Sequence, residues 1–397
     1  MAASFIIFGG LLCLLGAIWL LNIIYRLFFH PLAKFPGPKL AAVSDPFPKY
    51  ELIGRNSQGD VVRIAPNELS FATVQAYQDI YGHATKGKKK FIKSDWYESS
   101  GDHPGIVTVR DPAQHSRQRK YLSHAFSAKS LRGQETLIHS YVDMFIGQLR
   151  KLGNPEGSGI NVEGALNWLT FDIIERGDFF SHLLSKGGND VPEQELCEQS
   201  STLIVAGSET TATCLTGIVY CLLSNRSCLV KLTDEVRSRF QSETEITGDA
   251  TAELKYLPAV IEEGLRIFPP APFGLPRISP GAAIDGHYIP SGVVVSVDHW
   301  TTKHDGRYWK EPHSFIPERW IDENASDVKQ ASQPFSLGPR SCLGINLAYL
   351  EMRIILAKMV YHFDWELVDS DVDLFRDAKL FLLWKKPALM VRFYPRT

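Results

Sequence analysis

Hydrophobic and polar positions divide this chain into three kinds of segment. The first is an unbroken apolar run. Residues 1–25 carry no charged side chain, and Ser4 to Tyr25 reads SFIIFGGLLCLLGAIWLLNIIY. About 20 apolar residues in helical conformation cross the hydrocarbon core of a bilayer. The run lacks the basic start and small-residue cleavage site of a cleaved signal peptide, so it predicts an uncleaved, single-pass anchor. Arg26, Lys34 and Lys39 follow it, and by the positive-inside rule they hold the rest of the chain in the cytosol. The prolines of Phe35-Pro36-Gly37-Pro38-Lys39 then make a stiff link.

The second kind of segment is short and strand-like. Val61–Ala65 and Glu68–Phe71 about Pro66-Asn67 predict a hairpin. Ile284–Ile289 and Val293–Val297 about Pro290-Ser291-Gly292 predict another. Phe381–Trp384 with Ala388–Phe393 predict a terminal strand pair. The third kind has helical spacing: Arg117–Phe126, Gln134–Leu152, Glu193–Leu223, and Ala252–Phe268, which Pro269-Pro270 stops. After Gly344, the positions Leu347, Leu350, Ile354, Ala357 and Tyr361 keep 3-4 spacing along one helical face. Helices dominate and the strands are peripheral, so the expected class is mainly α with small peripheral β-sheets. No composition break divides the body. The expected organisation is an anchor over 1–28 and one large domain over 29–397.

Composition changes this picture little. The 397 residues are 44% hydrophobic and 22% charged, with a formal net charge of −2. That is ordinary globular composition, and no basic excess points to nucleic acid. The run Lys86 to Lys93 reads as a solvated loop. The six cysteines show no CxxC pair and no zinc spacing. Cys197, Cys214, Cys221 and Cys228 lie in apolar helical stretches and read as small core residues. Cys13 lies in the anchor.

Cys342 alone has a glycine-rich context, within PFSLGPRSCLG at 334–344. It stands just before the helix with 3-4 spacing. There the helix dipole and free N–H groups favour a thiolate. Gly338 and Gly344 permit a tight turn and close approach to a flat group. With these residues in place, the chain resembles the cytochrome P-450 family. Phe335, Gly338, Arg340, Cys342 and Gly344 match every fixed position of its haem-binding motif. The resemblance implies that Cys342 is the axial ligand of a haem iron and that Arg340 reaches a haem propionate. It also implies that Phe335 shields the sulfur.

Three further motifs follow the family's order. Glu263-Gly264-Leu265-Arg266 taken alone reads as an ordinary i, i+3 surface pair. In the family, Glu263 and Arg266 join Arg319, from Phe315-Ile316-Pro317-Glu318-Arg319-Trp320, in a buried structural network. Ala206-Gly207-Ser208-Glu209-Thr210-Thr211 places a glycine, an acid and two threonines midway along an apolar helix, which weakens it locally. Alone it reads as a kinked core helix. The resemblance implies that Gly207 leaves room for dioxygen, that Thr210 contacts it, and that Glu209 relays protons from solvent. Two weaker matches are His115 with Arg119, where the family usually has Trp at the first position, and Arg277 after Pro276. All three would meet the propionates; the alternative is a surface cation.

The resemblance implies a monooxygenase that inserts one atom of O₂ into an apolar small molecule. No dinucleotide GxGxxG lies on a strand–helix turn, so electrons from NADPH require a separate reductase. The stretch Phe29 to Lys39 resembles fungal microsomal members, which implies an endoplasmic reticulum membrane location and secondary metabolism. Substrate contacts are expected from Lys93 to Gly105 and from Pro272 to Leu275. The chain departs from the family in length. It reads as shortened near 54–59 and at 174–175, where Leu169–Ile174 meets Glu175–Phe180 without the two helices that roof the family's substrate pocket. The alternative reading is therefore a truncated, inactive relative that persists as a membrane-bound haem- or reductase-binding protein.

Overall fold

The computed structural model describes residues 2–44, 59–84, 89–98, 103–153, 157–176 and 191–396. In chain order the main elements are α1 (Ala2–Ile24), β1 (Val61–Ala65), β2 (Glu68–Phe71), α2 (Val74–Tyr81), β3 (Ile92–Lys93), α3 (Pro112–Leu122), α4 (Ala128–Leu152) and β4 (Ile160–Asn161). There follow α5 (Val162–Arg176), α6 (Glu193–Ser224), α7 (Arg226–Arg239), α8 (Tyr256–Ile267), β5 (Arg277–Ile284) and β6 (His287–Val297). The last are α9 (Ile345–His362), β7 (Phe363–Leu367), β8 (Lys379–Leu380), β9 (Trp384–Lys385) and β10 (Met390–Pro395). The fold is mainly α with small sheets. Its described residues form two compact units: Met1–Ser94 with Phe273–Thr302, and Asp95–Pro272 with Lys303–Thr397.

The first unit is built on a five-stranded sheet of order β1-β2-β6-β5-β3. The hairpin β1–β2 forms where the alternation predicts it. The second hairpin differs. Its turn is at Asp285-Gly286, with φ of 45° and 77°, while Pro290-Ser291-Gly292 lies inside β6. An Asp-Gly pair adopts positive φ at both turn positions at low cost, and that matches the twist of the flanking strands. The Phe35–Lys39 link is held against β1: the Arg63 N–H donates to Pro36 O at 2.7 Å. A Cβ at Gly37 would stand 2.3 Å from Arg63 O. The apolar helical stretch Phe5–Phe29 has mean hydropathy 2.3 and none of its most apolar window is buried, as a candidate membrane anchor requires. Glu193–Ser224 passes the same length and hydropathy test but is mostly buried, which marks it as a core helix.

The second unit holds one contiguous apolar core running from Ile106 to Phe393. Its centre is α6, buried continuously from Thr211 to Val219. The helices start where caps place them. Asp111 accepts from Gln114 N at 2.7 Å, and Pro112 occupies the first turn of α3, where its missing N–H costs nothing. That cap starts α3 five residues before the expected Arg117. Ser127 likewise caps α4 through Ser130 N at 3.2 Å and starts it before Gln134. The expected helix over Ala252–Phe268 is α8, which starts later, at Tyr256, after a separate short helix Gly248–Ala252. The expected terminal strand pair is also rearranged. β10 pairs with β7 and β4, and β8 pairs with β9. Cys214, Cys221 and Cys228 are buried as expected, whereas Cys197 is exposed because it falls on the polar face of the first turns of α6. Four expectations fall partly outside the described residues: the shortening near 54–59, all but Gly59; residues 177–180 of the 174–175 junction; residues 86–88 of the basic run; and residues 99–102 of the expected substrate contacts.

Candidate active site

The Cys342 segment is a tight loop leaning on α9. Ser336 and Gly338 take left-handed backbone, with φ of 58° and 68°. The Cys342 N–H then donates to Phe335 O at 2.7 Å and closes the loop. The Phe335 ring packs on Tyr349 of α9, with centroids 5.1 Å apart. Gly344, at φ −85°, is the residue before the first turn of α9. Its glycine is therefore not demanded by backbone conformation. A Cβ there would stand 4.0 Å from Cys342 Sγ, in ordinary contact with the sulfur.

Two guanidiniums flank the cysteine. Arg119 of α3 donates to Ser341 O at 2.6 Å and to Ser341 Oγ at 3.3 Å. Arg340 donates to Val109 O at 2.8 Å and Arg110 O at 2.7 Å. Burial pushes the Cys342 thiol up, opposed by a hydrogen bond from the Gly344 backbone and by the Arg119 charge. The side chain is nonetheless open to solvent.

The centre of α6 has its own irregularity. Ser208 Oγ donates to Ile204 O at 2.7 Å, and Thr210 Oγ1 to Ala206 O at 2.6 Å. Such back-bonding competes with the helical ladder and bends helices. A Cβ at Gly207 would stand 2.6 Å from Ile174 Cδ1, so any side chain there would make the Ile174 side chain of α5 shift. Val205 is 56% exposed and Ala206 is exposed too, an exposed apolar patch just before the buried stretch Thr211–Val219. The Glu209 carboxylate accepts from Thr213 Oγ1 at 3.2 Å and from Lys386 Nζ at 2.5 Å. Lys386 escaped the sequence reading, since two adjacent lysines before a proline look like a solvated turn.

The structure brings Glu263, Arg266 and Arg319 together. Arg266 holds Glu263 through two parallel bonds, Nε to Oε2 at 2.9 Å and Nη2 to Oε1 at 2.7 Å. Arg319 Nε adds a third at 3.2 Å. Trp320 Nε1 and Ile316 N complete the carboxylate's shell. All three charged side chains are at most 2% exposed, so this is not the surface pair that Glu263 and Arg266 alone suggest. His115 is buried in α3. Arg277 belongs to the other compact unit, buried, with its guanidinium 5.4 Å from the Tyr81 ring centroid.

A reachable thiol with a guanidinium on either side is a donor set that fits a flat iron macrocycle bearing two carboxylates, a cysteine thiolate being one of the ligands that hold such an iron. The profile of the cytochrome P-450 family matches residues 175–393. The chain is 40% identical to cytochrome P-450 monooxygenase BOA3 of Botryotinia fuckeliana, over 93% of this chain and 92% of that protein. It is 42% identical to cytochrome P-450 monooxygenase poxC of Penicillium oxalicum, over 94% and 91%. Against astJ of Aspergillus oryzae, also a cytochrome P-450 monooxygenase, identity is 36% over 94% of each. The chain belongs to the cytochrome P-450 family and is an enzyme of its monooxygenase class.

Proposed function

We propose that this chain holds its haem through Cys342 and oxidises an apolar small molecule of fungal secondary metabolism, with electrons from a separate NADPH-dependent reductase. The body then stands on the cytosolic face of the endoplasmic reticulum membrane behind the apolar helix over residues 2–24. The observation that carries the reading is the Cys342 thiol: reachable, at the start of α9, with the Gly344 backbone bonded to it and Arg119 beside it.

Bound there, the haem supplies dioxygen activation, with one oxygen atom passing to the substrate and the other leaving as water. The protein's part is positional and protonic. In this reading Arg119 and Arg340, which now donate to backbone carbonyls, would turn to the haem carboxylates, with His115 as a further partner. Phe335 and its Tyr349 neighbour keep the sulfur's surroundings apolar. Thr210 Oγ1 hands on a proton, and Glu209, whose side chain is 28% exposed, replenishes it from solvent. Glu263, Arg266 and Arg319 hold the fold and touch no substrate.

A second reading has its own support. The alignment with BOA3 runs over 470 positions, more than the 397 residues of this chain, so it passes gaps here. Shortening near 54–59 and 174–175 would thin the cover that keeps water from the reacting centre, leaving a haem-binding but inactive relative. The reduced carbon-monoxide difference spectrum in membranes, for the native chain and Cys342→Ala, tests both. A thiolate-type Soret band lost in the variant establishes the ligand. If the band forms but NADPH oxidation with added reductase stays at background, the inactive reading holds. No haem signal at all removes the proposal.

A further inference from the structure

We infer that Lys386 is a positioning residue for Glu209, fixing which carboxylate oxygen is free to exchange a proton. This rests on the reading above that Glu209 carries protons. Lys386 lies between β9 and β10, and its side chain is 1% exposed. Its ammonium meets three partners: Glu209 Oε1 at 2.5 Å, Thr213 Oγ1 at 2.9 Å and Glu163 Oε1 at 3.5 Å. A buried ammonium is costly unless paired and hydrogen-bonded, so a lysine is kept here against a strong penalty.

The geometry is one-sided. Among the described residues, both hydrogen bonds to the Glu209 carboxylate, from Lys386 and Thr213, end on Oε1. Thr213 is itself tied to Lys386, so two mutually bonded groups lock that oxygen, while Oε2 accepts no hydrogen bond among the described residues on a side chain that is 28% exposed. Glu163, at the start of α5, accepts from Asn167 Nδ2 at 2.7 Å. One ammonium thus sits between two carboxylates. Because the lysine comes from the β9–β10 connection, its hold on α6 also ties the carboxylate's rotamer to the C-terminal segment.

The test uses the haem-loaded protein in membranes with a purified NADPH-dependent reductase, NADPH and O₂, without added substrate. All rates are normalised to carbon-monoxide-reactive haem. Lys386→Met, Lys386→Arg and Glu209→Gln are compared for NADPH oxidation, for its solvent deuterium isotope effect, and for urea stability. Slower proton delivery becomes more rate-limiting, so Lys386→Met is expected to slow NADPH oxidation about tenfold and to raise the isotope effect, as Glu209→Gln does. Lys386→Arg, which keeps the charge, is expected to recover most of both. In the urea series, Lys386→Met combined with Glu209→Gln should cost clearly less than the two single costs added. If Glu209→Gln moves the isotope effect and Lys386→Met only lowers stability, Lys386 is a structural clamp and the inference is wrong. If Glu209→Gln itself changes neither rate nor isotope effect, the proton role of Glu209 fails first. Should Lys386→Met not fold, Lys386→Gln, which keeps a hydrogen-bond donor but not the charge, takes its place: slowed NADPH oxidation with a raised isotope effect supports the inference, and native values of both overturn it.

Discussion

Two glutamates of the same compact unit are buried to the same degree and live in opposite circumstances. Glu263 on α8 is 0% exposed and Glu351 on α9 is 1% exposed. Glu263 accepts from both guanidiniums, an indole N–H and a backbone N–H. Glu351 has neither carboxyl oxygen hydrogen-bonded among the described residues, and burial alone raises its pKa well above the usual carboxylate range. Burial is therefore not what distinguishes a structural acid from a strained one; the donors around it do. Arg266 extends the first arrangement to Lys303 O, Pro312 O and Ser314 O. Its guanidinium also lies 5.1 Å from the Trp309 ring centroid. A single carboxylate thus organises helix α8 and the segment 303–320, while the other leaves α9 carrying an unpaid cost.

The sharpest way to break this contrast is to remove the charge of Glu263. Glu263→Gln strands two buried guanidiniums, and breaking a buried pair in this way costs about 3–5 kcal/mol. Urea denaturation should show that loss, or no folded protein at all. A cost within about 1 kcal/mol would mean that the arginines find other acceptors and that the network does not organise the segment. Little of the network's burial was legible beforehand. Glu263 and Arg266 at i, i+3 look like any exposed pair, and only the family resemblance supplied Arg319. The cysteine loop was easier, because PFSLGPRSCLG fixes a turn, a helix start and a thiol within 11 residues. Of the two reasons offered for Gly344, the tight turn does not hold, because its backbone at φ −85° needs no glycine. Lys386 and Glu351 were invisible for a common cause. Periodicity assigns charged residues to solvent, and in these two cases tertiary packing overrides it. Glu351 even sits on the stripe of Leu347 and Ile354, where the pattern asks for an apolar residue. The hairpin turn was lost because Pro-Ser-Gly outweighed Asp-Gly, although only the latter suits positive φ at two consecutive positions.

A smaller, pH-dependent effect separates a third buried charge from both. Lys303 is 1% exposed and donates to Leu265 O at 2.9 Å. Burial, helped by the Arg266 charge and opposed by Cys214 and Glu262, pushes its pKa down to about 7. A lowered pKa means that the unfolded chain binds the proton more tightly than the folded one does. The stabilising contribution is present above the unfolded value near 10.5 and is lost as pH falls through about 7. Stability of the native chain relative to Lys303→Met should therefore rise between pH 7 and 9, by at most about 1.4 kcal/mol per unit. Denaturation of both proteins at three pH values measures the difference. A flat difference would mean that Lys303 stays charged in the folded protein.

The opposite slope belongs to Glu351, and it carries the smallest effect. Its raised pKa means that the folded chain binds the proton more tightly than the unfolded chain. Its stabilising contribution is therefore whole below the unfolded value of 4.5 and is lost as pH rises through the folded value. Glu351→Leu removes both the titration and two unbonded oxygens, at a site ringed by Leu347, Ile354 and Ile355 on the buried face of α9. An orphaned buried polar group costs about 1–3 kcal/mol, part of which leucine returns if it packs without strain. The variant should equal or exceed the native chain by up to about 1 kcal/mol at pH 5, and its advantage should widen toward pH 8. Together with the expected loss in Glu263→Gln, that outcome would give two equally buried acids opposite signs on substitution. If Glu351→Leu instead destabilises at every pH, with no widening, Glu351 is a bonded residue like Glu263 and the contrast between them collapses.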